Sequence, residues 1–167
     1  DAGRVTDIID ADGNRLHYTL DWAGNGTAEE SRTGADVVKR SLSRAYDHLG
    51  RMQALTDATS HSSSFTYDAG GNLDTATDAL SRVNDNAYDA LGRLTQAIAN
   101  ANGTGNETAT TGFQYDAQDR LIGVTDPKGL VTSYGYNGLG DLTQLSSPDT
   151  GITTHAYDNA GNRISTT

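Results

Sequence analysis

The chain has 167 residues, 35% of them hydrophobic, with 19 glycines and a formal net charge of −10 at pH 7. That balance leaves no basic patch to neutralise phosphates and argues against nucleic acid as a partner. There is no cysteine, hence no disulfide framework and no thiol chemistry, and no apolar run approaches the ~18 residues of a membrane-spanning helix.

Residues 1–34 carry weak copies of a unit that becomes clear further on. One is Asp1-Ala2-Gly3-Arg4-Val5, the other Leu20-Asp21-Trp22-Ala23-Gly24-Asn25. The first residues lack a charged region followed by an apolar stretch, so they do not read as a signal peptide. Val5, Asp7 and Ile9 alternate with Ile8, and Leu16, Tyr18 and Leu20 alternate with His17 and Thr19, which is the period of a strand. Asp10-Ala11-Asp12-Gly13 and Ser31-Arg32-Thr33-Gly34 each place a turn former first and Gly fourth. From Gly34 to Tyr46 the pattern is five residues longer than elsewhere. Val38, Arg40, Leu42, Arg44 and Tyr46 share one face if it is a strand; Ala35–Leu42 also reads as a short helix.

The unit itself is Tyr46-Asp47-His48-Leu49-Gly50-Arg51-Met52, repeated as Tyr67-Asp68-Ala69-Gly70-Gly71-Asn72-Leu73 and Tyr88-Asp89-Ala90-Leu91-Gly92-Arg93-Leu94. Further copies start at Tyr115-Asp116, at Tyr136-Asn137 with Gly140, and at Tyr157-Asp158 with Gly161. The step is 21 residues, apart from 27 between Tyr88 and Tyr115 and 26 between Leu20 and Tyr46. A fixed period of this length names a repeat architecture. Asp-x-x-Gly is a turn: the Asp accepts hydrogen bonds from nearby backbone N–H groups, and the Gly takes the positive φ that other residues resist. Asp119 stands for the Gly in one copy and Asn137 for the Asp in another; both residue types keep the turn.

A second turn follows about ten residues after each signature Asp, at Asp57, Asp78 and Asp126, with Ser31 and Ser147 at the same beat. Each repeat therefore reads as strand, turn, strand, turn. Leu73, Thr75 and Thr77 are expected on one face. Two residues before the signature Tyr stand Tyr18, Phe65, Phe113, Tyr134 and His155. Stacking would align them into an aromatic row across neighbouring strands, serving as core; a sugar- or base-stacking platform is the other reading. Residues 99–112 are small, polar and Gly-rich and read as an extended hairpin tip, in which Asn106-Glu107-Thr108 matches a glycosylation sequon by chance. The expectation is one array over residues 1–167, with about seven to eight repeats and insertions near 35–45 and 100–111. It starts midway through a repeat and so reads as part of a longer chain.

Residues with chemical potential do not assemble into a known motif. His17, His48, His61 and His155 occupy unrelated repeat positions, and nothing has metal-ligand spacing. Ser60, Ser62, Ser63 and Ser64 surround His61 without a nucleophile elbow. Gly70-Gly71-Asn72-Leu73-Asp74 matches part of a calcium-binding nonapeptide once only. No catalytic residue, metal site or cofactor is therefore expected.

The Tyr-Asp-x-x-Gly-Arg/Asn-Leu unit at 21-residue spacing resembles the YD repeats of the Rhs family, which includes Rhs polymorphic toxins, B and C components of Tc toxins, and teneurins. The resemblance covers nearly the whole chain. The carrying residues are Tyr46, Asp47, Gly50, Tyr67, Asp68, Gly71, Tyr88, Asp89, Gly92, Tyr115, Asp116, Tyr136, Asn137, Gly140, Tyr157, Asp158 and Gly161. It implies an all-β fold of tandem β-hairpins, in which about fifteen strands form a long, curved antiparallel sheet, part of a β-shell or spiral. It further implies a structural, non-enzymatic segment of a bacterial toxin, secreted or at the cell surface in its parent, enclosing a C-terminal toxic domain. Its partners would be the remaining repeats and the enclosed domain, with self-association through open sheet edges. Toxin-bearing members also cleave themselves at a motif built on Asp-Pro-x-Gly-Leu. Asp126-Pro127-Lys128-Gly129-Leu130 fits those letters, but Leu121 stands where the motif has Pro, and the site reads as an ordinary turn. The alternative function is an extracellular adhesion or carbohydrate-binding module.

Overall fold

A computed structural model describes residues 3–104 and 107–167, so Asp1, Ala2, Gly105 and Asn106 of the segments above lie outside the described residues. These residues form fifteen β-strands and no α-helix. No helix among them is long and apolar enough to cross a membrane. The chain divides into two compact units, Asp1–Val83 and Asn84–Thr167.

The first unit contains β1 (Asp7–Ile9), β2 (Arg15–Leu20), β3 (Gly26–Arg32), β4 (Val38–Tyr46), β5 (Met52–Asp57), β6 (Ser62–Tyr67) and β7 (Leu73–Thr77). Each strand pairs antiparallel with the next in sequence. The second unit repeats the scheme with β8 (Val83–Tyr88), β9 (Leu94–Ala99), β10 (Ala109–Tyr115), β11 (Leu121–Thr125), β12 (Val131–Tyr136), β13 (Leu142–Ser147), β14 (Gly151–Tyr157) and β15 (Arg163–Thr166). The fold is the expected all-β succession of hairpins, built from contacts close in sequence.

The turns follow the backbone chemistry of their residues. In each signature turn the fourth residue donates its N–H to the carbonyl of the first, as Gly50 does to Asp47 at 3.0 Å. That fourth residue is left-handed: φ is 78° at Gly50 and 63° at Asp119, the one signature turn without Gly there. A register shift follows each signature turn. Tyr46 pairs with Met52 but Ala45 pairs with Ala54, leaving Gln53 as the extra residue of a bulge. The same shift separates Leu121 from Gly123, and Leu142 from Gln144. A type I turn followed by a left-handed residue and a bulge is a common short-hairpin solution.

The bulges correct the expected faces. Leu73 pairs with Tyr67, and Ala76 pairs with Phe65, so Leu73 shares a face with Ala76 and not with Thr75 and Thr77. In β4, Val38 pairs with Arg32 and Arg40 with Ser31, which makes Lys39 an extra residue and puts Val38 opposite Arg40. Residues 38–42 are strand, not helix, because β3 offers a full edge of backbone partners. The turn expected at Ser31–Gly34 lies two residues later: Ser31 and Arg32 are in β3, Asp36 donates to Thr33 at 2.8 Å, and Asp36 takes φ 61°. The residues between Ala99 and Ala109 join β9 to β10, with Gly103 donating to Asn100 at 2.8 Å.

Among the described residues no hydrophobic side chain is fully buried. The aromatic positions Tyr18, Phe65, Phe113 and Tyr134 are half-buried, so they line a sheet face and do not form a core. Nor do they make an unbroken aromatic row. Phe65 faces Ala76, Phe113 faces Val124, and Tyr134 faces Leu145, so an aliphatic residue follows each of these three, while Tyr18 faces Glu29. With one layer in each unit, side-chain contact runs along the sheet and not across it.

Candidate functional site

The signature residues meet at the hairpin turns and build a recurring clamp. Its first part is the Asp side chain. In the Asp47 turn one carboxylate oxygen, Oδ1, accepts the backbone N–H groups of Leu49 and Arg51, both at 2.9 Å. Asp89 and Asp116 do the same with the residues two and four further on. Asp68 accepts from Asn72, and Asp158 from Ala160 and Asn162. Asn137 takes the same role through its amide oxygen, toward Leu139 and Asp141.

The second carboxylate oxygen receives the residue four positions on. Arg51, Arg93 and Arg120 each donate Nε to it at 2.7 Å. Asn25, Asn72 and Asn162 reach it through the amide, at 2.8, 3.0 and 3.0 Å. In the Asn137 turn the polarity is inverted, and Asn137 Nδ2 donates to Asp141 at 2.8 Å. These bonds act on charge. The Arg93 side chain, followed by its backbone N–H, holds the Asp89 carboxyl below the usual range, and Asp89 pushes Arg93 up. At Asp47 partial burial works against ionisation, but hydrogen bonds from the Arg51 backbone and guanidinium outweigh it.

Arginine also reaches forward to the next repeat. The Arg51 guanidinium lies 4.4 Å from the ring centre of Tyr67, Arg93 lies 4.8 Å from that of Tyr115, and Arg120 lies 4.8 Å from that of Tyr136. Arg93 Nη1 donates to the carbonyl of Asp116 and Arg120 Nη1 to that of Asn137, both at 3.1 Å. Arg93 Nη1 further meets the Asp119 carboxylate at 2.6 Å. One planar cation thus ties its own turn to the ring and the backbone of the following one, a geometry that lysine cannot reproduce.

The tyrosine hydroxyl closes the link in the other direction. Tyr67 donates to the carbonyl of Met52, Tyr136 to Leu121 and Tyr157 to Leu142, all at 2.8 Å; Tyr46 donates to Gly26 at 3.3 Å. Each acceptor is the residue just before a bulge, where the ladder is interrupted. The bulge and the tyrosine are therefore one device, since the bulge presents the carbonyl that the phenol takes. Tyr88 ends β8 and pairs with Leu94, and Gly71, Gly92, Gly140 and Gly161 take φ of 89°, 77°, 93° and 81° in their turns. Sequence reasoning misses the arginines and the bulge carbonyls. Arg at the fourth position after Asp is visible as a pattern, but its span to the next repeat is not.

Other chemistry is local. Asp126-Pro127-Lys128-Gly129 is a turn, with Gly129 bonded to Asp126 O at 2.9 Å and the Asp126 carboxylate accepting Lys128 N and Leu130 N at 2.8 Å. Asp57, Thr59 and His61 meet on one turn, where the Thr59 hydroxyl above all holds the Asp57 carboxyl down to about 2. His61 Nδ1 contacts both Thr59 Oγ1 and Asp57 Oδ2. A nucleophile relay needs the two ring nitrogens on different partners, so this trio is a turn lock. His17 contacts Asp7, and His155 contacts Thr166. Among the described residues, no group of three or more His, Asp or Glu is placed to hold a metal ion.

Comparison with known proteins agrees with this repeat geometry. The RHS Repeat family model matches residues 46–83, 115–152 and 136–167, more than half of the chain. No curated protein sequence matches. Among solved structures, the TcdB2-TccC3-Cdc42 complex superposes with a TM-score of 0.74 at 17% identity over 99% of this chain. TcdB2-TccC3 gives 0.72 at 18% identity over 99%. The Tc holotoxin pore of Photorhabdus luminescens gives 0.69 at 16% identity over 92%. The chain spans about a tenth of the length of these proteins, covering 10%, 10% and 9% of them respectively. At such identities the likeness is one of fold; the family rests on the repeat match: the chain belongs to the RHS repeat family.

Proposed function

We propose that this chain is a wall segment of an Rhs-type toxin shell, whose hairpins form part of a sheet that encloses and delivers a C-terminal toxic domain. The observation that carries this reading is the clamp. Where Arg follows the Asp, in the Asp47, Asp89 and Asp116 turns, the turn binds the next through Asp, Arg and Tyr, so within each unit the sheet extends from hairpin to hairpin without needing a second layer. A container wall needs this property, because both faces must stay free for cargo and surroundings. The signature positions from Tyr46 to Gly161 are then structural, and the segment has no catalytic role and takes no cofactor. Its partners are the neighbouring repeats and the enclosed domain. The parent is secreted or displayed at the cell surface. Residues 1–167 act as one array of repeats in that wall.

Limited proteolysis of the intact parent protein, native and denatured, tests the proposal. A segment outside the repeats that resists protease only while the repeats are folded supports enclosure. Equal cleavage of every such segment in both states rejects it. Saturable binding of glycans that depends on Phe65 and Tyr134 would move the assignment to adhesion.

A further inference from the structure

We infer that the groove between the Asp21 and Asp47 turns is a binding site for an arginine side chain of a partner polypeptide. The inference does not rest on the shell reading. Three arginines of this chain define what such a slot contains. Each has the carboxylate of its own turn, the ring of the next tyrosine and, for Arg93 and Arg120, the carbonyl of the next turn's first residue. The guanidinium also lies against the left-handed residue of the following turn. Arg51 Nη1 is 3.7 Å from a Cβ placed on Gly71, and Arg4 Nη1 is 2.6 Å from one on Gly24.

At the Asp21 turn the donor is Asn25, which carries no cation to lay over the Tyr46 ring. Its amide bonds Asp21 at 2.8 Å, and its Oδ1 lies 3.9 Å from a Cβ placed on Gly50. The other slot elements remain: the Asp21 carboxylate, the Tyr46 ring and the Asp47 backbone. They line an open groove of about 580 Å³ together with Asn25, Trp22 and Leu49. Asp21 is held below the usual carboxylate range, first by the Asn25 side chain, and a carboxylate offers about four acceptor sites, more than its two bonds from Asn25 use. Trp22 is 94% exposed and Leu49 67% exposed, so apolar surface stands on the rim of the carboxylate and ring. A planar cation with an aliphatic stem suits this combination: the stem lies on Trp22 and Leu49, the guanidinium on Tyr46 and Asp21. The net charge of −10 attracts such a partner.

Trp22 is the only tryptophan in the chain, so its fluorescence reports on the groove. The chain is titrated with a short neutral-ended peptide containing one arginine, with its citrulline counterpart, and with a lysine peptide. The expected result is a saturable emission change with arginine only, weakened by salt. Asn25→Arg supplies the missing guanidinium from within. It should raise Tm by about 1–4 °C and abolish the titration. Tyr46→Leu should weaken the titration at least several-fold while circular dichroism verifies the fold. Equal response to citrulline or lysine overturns the inference, as does unchanged arginine binding in Asn25→Arg.

Discussion

Removing the Tyr67 hydroxyl isolates one half of the clamp. The hydroxyl donates to Met52 O at 2.8 Å, and the ring carries Arg51 at 4.4 Å. Tyr67→Phe keeps ring, cation and shape, and leaves the carbonyl before the bulge without its donor. A net hydrogen bond contributes about 0.5–1.5 kcal/mol, and because the site is only half-buried, water takes over part of it. The lower half of that range, about 0.5–1 kcal/mol, is expected. Tyr67→Ala removes much more. A half-buried tyrosine covers roughly 100 Å² of apolar area, or about 2.5 kcal/mol at 25 cal/mol per Å². The cation–π contact adds about 0.5–1 kcal/mol. A loss of about 3–4 kcal/mol is therefore expected for Tyr67→Ala. Urea denaturation followed by far-ultraviolet circular dichroism reads both variants, with Ser64→Ala, exposed on the opposite face of the same strand, as the control. If Tyr67→Ala costs less than about 1 kcal/mol, or Tyr67→Phe equals it, the clamp does not hold the hairpins together.

Arg93→Lys should lower Tm, because lysine cannot contact Asp89, the Tyr115 ring and the Asp116 carbonyl at once; Arg82→Lys, whose arginine bonds only the exposed second-turn Asp78, should leave Tm within about 1 °C in the same melting experiment. Gly129→Ala should cost about 1–2 kcal/mol, since φ is 80° there and nothing lies within 4 Å of the added methyl. Gly138→Ala, also open but without positive φ, should gain about 0.4–1 kcal/mol by the same denaturation assay. The folded Asp57 carboxyl titrates at about 2 against an ordinary 3.8, so its contribution is complete above about pH 4 and is lost as pH falls through 2; Asp21, Asp68, Asp89 and Asp158 shift the same way. Tm should therefore fall between about pH 4 and about pH 2, and Asp57→Asn should flatten part of that slope.

The repeats are legible because the fold is made of local turns. Asp and Gly at fixed spacing give the hairpin turn, and Asp119 in place of Gly or Asn137 in place of Asp keeps the turn, although Asn137 inverts the side-chain bond. What the letters conceal is geometry at the bulges. One extra residue after each signature turn inverts the alternation, so Leu73 pairs by face with Ala76, and a strict period of two fails there. A turn at Ser31–Gly34 would make Gly34 the left-handed residue, whereas Asp36 holds that position. The spacing of the aromatic positions suits a core, but half-burial on a one-layer sheet has the same spacing. The forward reach of Arg93 across 23 residues to Asp116 depends on neighbouring hairpins lying side by side, which no single repeat contains.

Electron cryomicroscopy of the intact parent protein tests the central claim most directly. The account predicts that the repeats form the wall of a compartment, with successive signature turns in register along its rim and density for a further domain inside. Repeats that stand as an open array with solvent on both faces, and every other domain outside them, would contradict it.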